Sequence, residues 1–206
     1  MEAQKYLKDG IELFMAHLSS LLAASLAFNV VMMAASIFPL AALVVAGPMA
    51  GGMFYILSDL KQGKDFDIKR LFDGFRLKLV PLILGGLLVS IFSSLASILL
   101  LLPGLLVLGW YSFTFLLIIH KGLDFWPAME ASRKIGFEDH IRSFILGSCG
   151  FLVVIGGAIM GYLMIMVLGL PMFMEYLFIF LLALVAAPYY FCVVFCAYPI
   201  LFGKGK

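Results

Sequence analysis

In an almost uncharged chain, chemistry would have to come from the few ionisable or nucleophilic side chains set among apolar ones. Glu175 is the single Asp, Glu, Lys or Arg in residues 143–203, and a carboxylate at membrane depth is the usual mark of proton relay or substrate coupling. It lies four residues after Pro171, so a place near an outer turn is the simpler reading and a buried functional carboxylate the sharper one. His17 and Asn29 are lesser candidates. His120 precedes Lys121, and His140 stands in a charged stretch. No two of these histidines have the spacing of metal ligands on one helix, and H-E-x-x-H is absent. G-x-S-x-G, P-loop and G-x-G-x-x-G signatures are absent too. Cys192 and Cys196 share a helix face, where Cβ atoms stand ~5–6 Å apart, beyond the ~3.8 Å of a disulfide. With Cys149 they read as small apolar side chains. No enzyme, cofactor or metal is expected.

The elements that would hold such residues follow from where charge is missing. Of 206 residues, 64% are apolar and 13% charged, against about 25% charged in soluble domains. Such a chain belongs in a bilayer, and its net charge of +2 gives no reason to invoke nucleic acid. Residues 13–58 and 79–120 contain no Asp, Glu, Lys or Arg. Since a crossing needs about 20 apolar residues, each block holds two, and the block from 143 holds two longer ones. The expectation is an all-α polytopic membrane protein forming a single transmembrane domain over 1–206. Its six transmembrane helices span about 13–35, 38–60, 79–101, 104–120, 143–167 and 173–202, paired as three hairpins.

The hairpin turns are expected at Ser36–Pro39, Leu102-Pro103-Gly104 and Gly169-Leu170-Pro171, none with a basic residue. All 14 Lys and Arg fall in the intervening segments and at the chain ends, which predicts both termini in the cytoplasm. Acidic residues among Lys5 and Lys8, with a long apolar stretch behind them, do not read as a secretory signal.

Short cytoplasmic interfacial helices complete the expected layout. Ile68, Leu71, Phe72 and Phe75 follow i, i+3, i+4, i+7, with Lys69, Arg70, Asp73 and Arg76 opposite, which predicts a helix lying along the headgroups. Asp67 is its expected N-cap and Lys69–Asp73 an i,i+4 pair. Leu7, Ile11, Phe14 and Met15 repeat the spacing and lead into the first span. In 126–142, Trp126 suits the interface, Pro127 a first helical turn, and Glu130–Lys134 and Glu138–Arg142 pair at i,i+4. Gly-x-Asp-Phe occurs at Gly63–Phe66 and again at Gly122–Phe125, each after a span, which predicts a degenerate three-fold repeat. The charged segments read as solvated faces held near lipid, too balanced in sign for a polybasic sensor.

Small residues recur at packing spacing in Gly47-x-x-x-Gly51, Gly157-x-x-x-Gly161, Ser90-x-x-x-Ser94 and Ser93-x-x-x-Ser97. Gly47-Pro48 inside the second span predicts a kink. A broken helix can build a binding site, so Gly47 and Pro48 join Glu175 as candidate functional residues, with plain packing as the competing explanation.

Three stretches carry a resemblance. They are Gly47-Pro48-Met49 leading to Asp67–Phe75, Leu102-Pro103-Gly104 leading to Trp110-Tyr111-Ser112, and Ala128–Lys134. From about residue 40 the chain resembles a family of bacterial integral-membrane proteins of unassigned activity. That family is similar to the membrane domain fused to some glycerophosphodiester phosphodiesterases. Where the family has Lys-Gly after the Ala-Ser-Arg segment, this chain has Ile135-Gly136. The resemblance implies a helical bundle in the bacterial inner membrane and supplies no catalytic residue. The expected role is that of an accessory, assembly or envelope-maintenance factor working through membrane lipids, other membrane proteins or self-association. A small transporter or channel for a lipid-like or apolar solute is the alternative.

Overall fold

A computed structural model describes residues 2–99, 101–168 and 173–202, and among them the fold is all-helical. Ten α-helices follow in order: α1 (Glu2–Ala16), α2 (Leu18–Ser36), α3 (Pro39–Lys61), α4 (Asp73–Leu77), α5 (Leu79–Leu99), α6 (Leu101–Trp110), α7 (Thr114–Lys121), α8 (Phe125–Glu138), α9 (His140–Leu168) and α10 (Phe173–Phe202). A 3-10 segment, Ile68–Phe72, precedes α4. Among the described residues five stretches are long and apolar enough to cross a membrane: Leu18–Ser36, Leu40–Lys61, Leu79–Ile98, Leu102–Lys121 and Leu177–Phe202.

Several boundaries differ from expectation for identifiable reasons. The first span begins at Leu18, because His17 (φ −123°, ψ 33°) leaves helical geometry and separates it from α1. On α1 the buried side chains are Tyr6 and Phe14, whereas Ile11 and Met15 are exposed. The turn expected at 102–104 is helical, since α6 starts at Leu101 and Pro103 sits in its first turn. There a missing N–H leaves no bond unmade. The stretch expected as one helix over 104–120 is broken between Trp110 and Thr114. The turn expected at Gly169-Leu170-Pro171 lies outside the described residues.

The segment 67–78 is not one amphipathic α-helix. Asp67 caps it as expected, accepting from the Lys69 N–H at 2.9 Å, but a 3-10 turn comes first and α4 is only five residues long. Leu71 is fully buried and Phe75 half-buried, while Ile68 and Phe72 remain exposed. Close backbone approach explains the change. A Cβ on Gly52 would overlap the Leu71 carbonyl, and one on Gly74 would overlap the Pro48 carbonyl. The segment is drawn onto α3 and does not present one continuous apolar face.

The long helices pack in cyclic order: α2 on α3, α3 on α5, α5 on α6, α6 on α9, α9 on α10, and α10 on α2. Small residues set the close contacts, as backbones in lipid approach best where no side chain intervenes. Gly86 meets Gly47, where an added Cβ would stand 2.7 Å from its Cα. Gly109 abuts the Ser143 carbonyl, and a Cβ on Gly147 would stand 2.8 Å from the Gly109 nitrogen. A core of Met49, Met53, Phe54, Leu57, Leu116, Leu117 and Val193 fills the interior.

These contacts recur along the chain. Gly47 meets α5 at Leu82 and Gly86, and Gly109 meets α9 at Ser143 and Gly147. The following residues, Pro48 and Trp110, receive Gly74 and Gly136 from the intervening short helices, and each of those glycines precedes a phenylalanine. Gly63 and Gly122, the first residues of the two Gly-x-Asp-Phe motifs, are the positive-φ residues among those described (φ 72° and 65°). They end α3 and α7 in the left-handed conformation that glycine adopts without steric cost. A related contact joins α1 to α10, where a Cβ on Gly10 would stand 2.8 Å from a Val193 methyl.

Candidate functional site

The polar groups that could act together lie on the two short segments that follow α3 and α7. On the first, Asp59 near the end of α3 collects two cations. Lys64 reaches it at 2.9 Å, and Arg70 donates its Nε–H to the other carboxylate oxygen. Arg70 also donates from Nη1 to Asp73 at 2.6 Å and lies 5.9 Å from the centre of the Tyr55 ring. The two carboxylates hold the guanidinium above its ordinary pKa, the hydrogen bond with Asp59 contributing most. With side chains 12% and 16% exposed, Asp59 and Asp73 need this partner. The arrangement ties the 67–77 segment to α3 and offers no free reactive atom.

The second site is built around α8. Asp124 caps it, accepting from the Phe125 N–H at 2.8 Å, and Pro127 occupies its first turn as expected. Ala128, Met129, Ser132 and Gly136 form the buried face. Ser132 lies against the break between α6 and α7, where its hydroxyl donates to the Trp110 carbonyl at 2.6 Å and accepts from the Phe113 N–H at 3.2 Å. Those are the backbone groups that the break leaves without helical partners. Ser112 steadies the same place, bonding the Leu108 carbonyl at 2.9 Å and the Tyr190 hydroxyl at 3.2 Å.

The outer face of α8 borders a cleft of about 280 Å³ lined by Phe92, Tyr111, Trp126, Met129, Glu130 and Arg133. Glu130 receives a two-pronged bond from Arg133, with Nε at 2.9 Å and Nη2 at 2.8 Å, while Lys134 stays at 3.9 Å. The pair expected from sequence was Glu130–Lys134. The planar guanidinium fork one residue earlier is the better match to a carboxylate. Arg133 holds the Glu130 carboxyl below its usual range, and Glu130 in turn raises Arg133.

A further cleft of about 240 Å³ brings Ser58, Lys61 and His120 together with Phe195 and Tyr198 where α3, α7 and α10 converge. Lys61 stands 5.3 Å from the Phe195 ring centre and Lys121 stands 5.1 Å from that of Phe202. Each lysine lies in the last turn of its helix, where a cation offsets the negative end of the helix dipole.

The residues singled out in the sequence are not brought together. Gly47 and Pro48 sit at helix contacts, and α3 runs on through Pro48. Asn29 bonds one turn back to the Ser25 carbonyl at 2.8 Å, and His17 occupies the α1–α2 break. Glu175 belongs to α10, but its side chain lies outside the described residues. Among the described residues no three His, Cys, Asp or Glu could share a metal ion. Sequence reading missed the gathering of Asp59 with Arg70 and the role of Ser132. The i,i+4 pairs expected in the sequence, Lys69–Asp73 and Glu130–Lys134, named the right carboxylates but the wrong cations, since Arg70 and Arg133 bind them at i,i+3. Comparison with family models, curated proteins and solved structures gives no match for this chain.

Proposed function

We propose that this chain is a non-catalytic integral-membrane protein that acts through lipid and protein partners at one face of its bundle, as an accessory or assembly factor. In this reading α9, with 29 residues, is the sixth crossing beside the five spans, and the six cross as three hairpins. The basic residues between hairpins support cytoplasmic termini, and the resemblance noted above supports a bacterial inner membrane.

The observation that carries the proposal is the division of labour along the chain. Contacts between long helices are filled by glycine, serine and apolar side chains, whereas ion pairs and one cleft gather where the short segments return onto the bundle, and another cleft opens where α3, α7 and α10 converge. A protein so arranged offers a stable body and a polar rim for recognition. The test is purification of the full chain in mild detergent, followed by identification of the proteins and lipids that stay with it. A reproducible set that is lost on reversing rim charges is expected. A transporter reading would replace this one if proteoliposomes showed a solute flux that Glu175→Gln abolished.

A further inference from the structure

The cleft beside α8 combines two kinds of wall. Phe92 and Tyr111 come from stretches able to cross the membrane, Leu79–Ile98 and Leu102–Lys121. Glu130 and Arg133 come from α8, Trp126 stands 59% exposed, and buried Met129 completes the lining. One side therefore suits hydrocarbon and the other suits charge. An occupant complementary to both is amphipathic, with an ionic head.

The charge pattern narrows the head. Arg133 uses its Nε–H and an Nη2 hydrogen on Glu130. A guanidinium carries five N–H donors, so the Nη1 edge stays available for a phosphate oxygen. Arg70 differs, because two carboxylates on separate elements hold it at Nε and Nη1. Glu130 offers its carboxylate to N–H donors, which a primary ammonium carries and a quaternary one lacks, and the faces of Tyr111 and Trp126 add cation–π attraction. Glu130 and Arg133 together are neutral, which matches a zwitterion better than an anion.

We propose that this cleft binds the headgroup of a zwitterionic glycerophospholipid bearing a primary ammonium, the ethanolamine class. Its phosphate meets the Nη1 edge of Arg133, its ammonium meets Glu130, and an acyl chain lies along Phe92 and Tyr111. The inference rests on the lipid-partner reading above and names the lipid class that reading leaves open.

The test is native mass spectrometry of the full chain in detergent, titrated with ethanolamine, glycerol and choline phospholipids of matched acyl chains. One ethanolamine phospholipid is expected to be retained most tightly. Arg133→Ala should weaken that retention about tenfold, the scale of losing one charge-assisted phosphate contact. Lys69→Ala, exposed on the other short segment and away from the cleft, should leave it unchanged. Glu130→Gln should move the preference toward the anionic glycerol lipid, a change of selectivity that misfolding would not produce. Equal retention by wild type and Arg133→Ala would overturn the proposal. So would full competition by soluble glycerophosphoethanolamine, which would mark a small-molecule site, or displacement of the lipid by a second copy of the chain. If Arg133→Ala is silent while other lipids or proteins still co-purify, this site fails and the broader reading stands. If nothing co-purifies with the wild type, the broader reading fails.

Discussion

Residues 67–77 and 125–138 occupy corresponding places in the packing and have opposite electrostatic finishes. Each follows a helix ended by a left-handed glycine, and each returns through a Gly-Phe pair onto the residue after a packing glycine. In the first, an arginine is shared between Asp59 and Asp73, and Asp59 is only 12% exposed. In the second, Arg133 has one carboxylate partner, 36% exposed, and an aromatic-walled cleft beside it. The difference teaches that one packing frame can carry either a lock or a recognition surface. Which it carries depends on how many carboxylates surround the arginine.

The largest expected effect comes from opening the lock. Arg70→Ala leaves Asp73 without its cation and Asp59 with Lys64 alone, a change expected to cost about 2–3 kcal/mol after allowing for partial solvent access. Thermal unfolding of the detergent-solubilised protein would measure it. An equal loss in Arg133→Ala would break the comparison, because Arg133 belongs to a solvent-exposed pair whose loss should be far smaller.

Ser132→Ala should come next. It removes the hydroxyl that serves both the Trp110 carbonyl and the Phe113 N–H, so an expected loss of about 1–2 kcal/mol falls on the α6–α7 break. Hydrogen exchange at residues 110–114 should rise in this variant while exchange at 48–56 stays as in the wild type. A uniform rise across both regions would show that the serine does not act locally.

Much of the frame could be read in the sequence because its causes are local. Uninterrupted apolar runs mark the long helices, Gly63 and Gly122 mark their ends, and Asp67 marks a cap. The sites were harder to read because their causes are not local. Asp59 and Arg70 are eleven residues apart on different elements, and nothing in either neighbourhood names the other. The break at Tyr111–Phe113 falls in an apolar run without proline, and the group that stabilises it, Ser132, lies about twenty residues on. The choice of Arg133 over Lys134 for Glu130 rests on geometry that i,i+4 spacing does not encode. The 67–78 pattern predicted a headgroup-facing helix because periodicity counts apolar positions but cannot see that Gly52 and Gly74 admit backbone contact with α3.

The smallest effect is also the one most specific to the second segment. Arg133 holds the folded-state pKa of Glu130 below the ordinary carboxylate value. Such a group stabilises the fold at pH values above its unfolded pKa, near 4.3–4.5, and that contribution is lost as pH falls through the depressed folded value. Because the pair is exposed, the change in stability should be slight, and lipid retention is the better readout. Between neutral pH and the ordinary carboxylate range, retention of the ethanolamine phospholipid should hold steady. Below the depressed value the protonated Glu130 no longer faces the ammonium, and selectivity should drift toward the profile of Glu130→Gln at neutral pH. Wild type and Glu130→Gln should then converge in acid and differ at neutral pH. If their selectivities ran parallel across the whole range, Glu130 would not be the group that reads the ammonium.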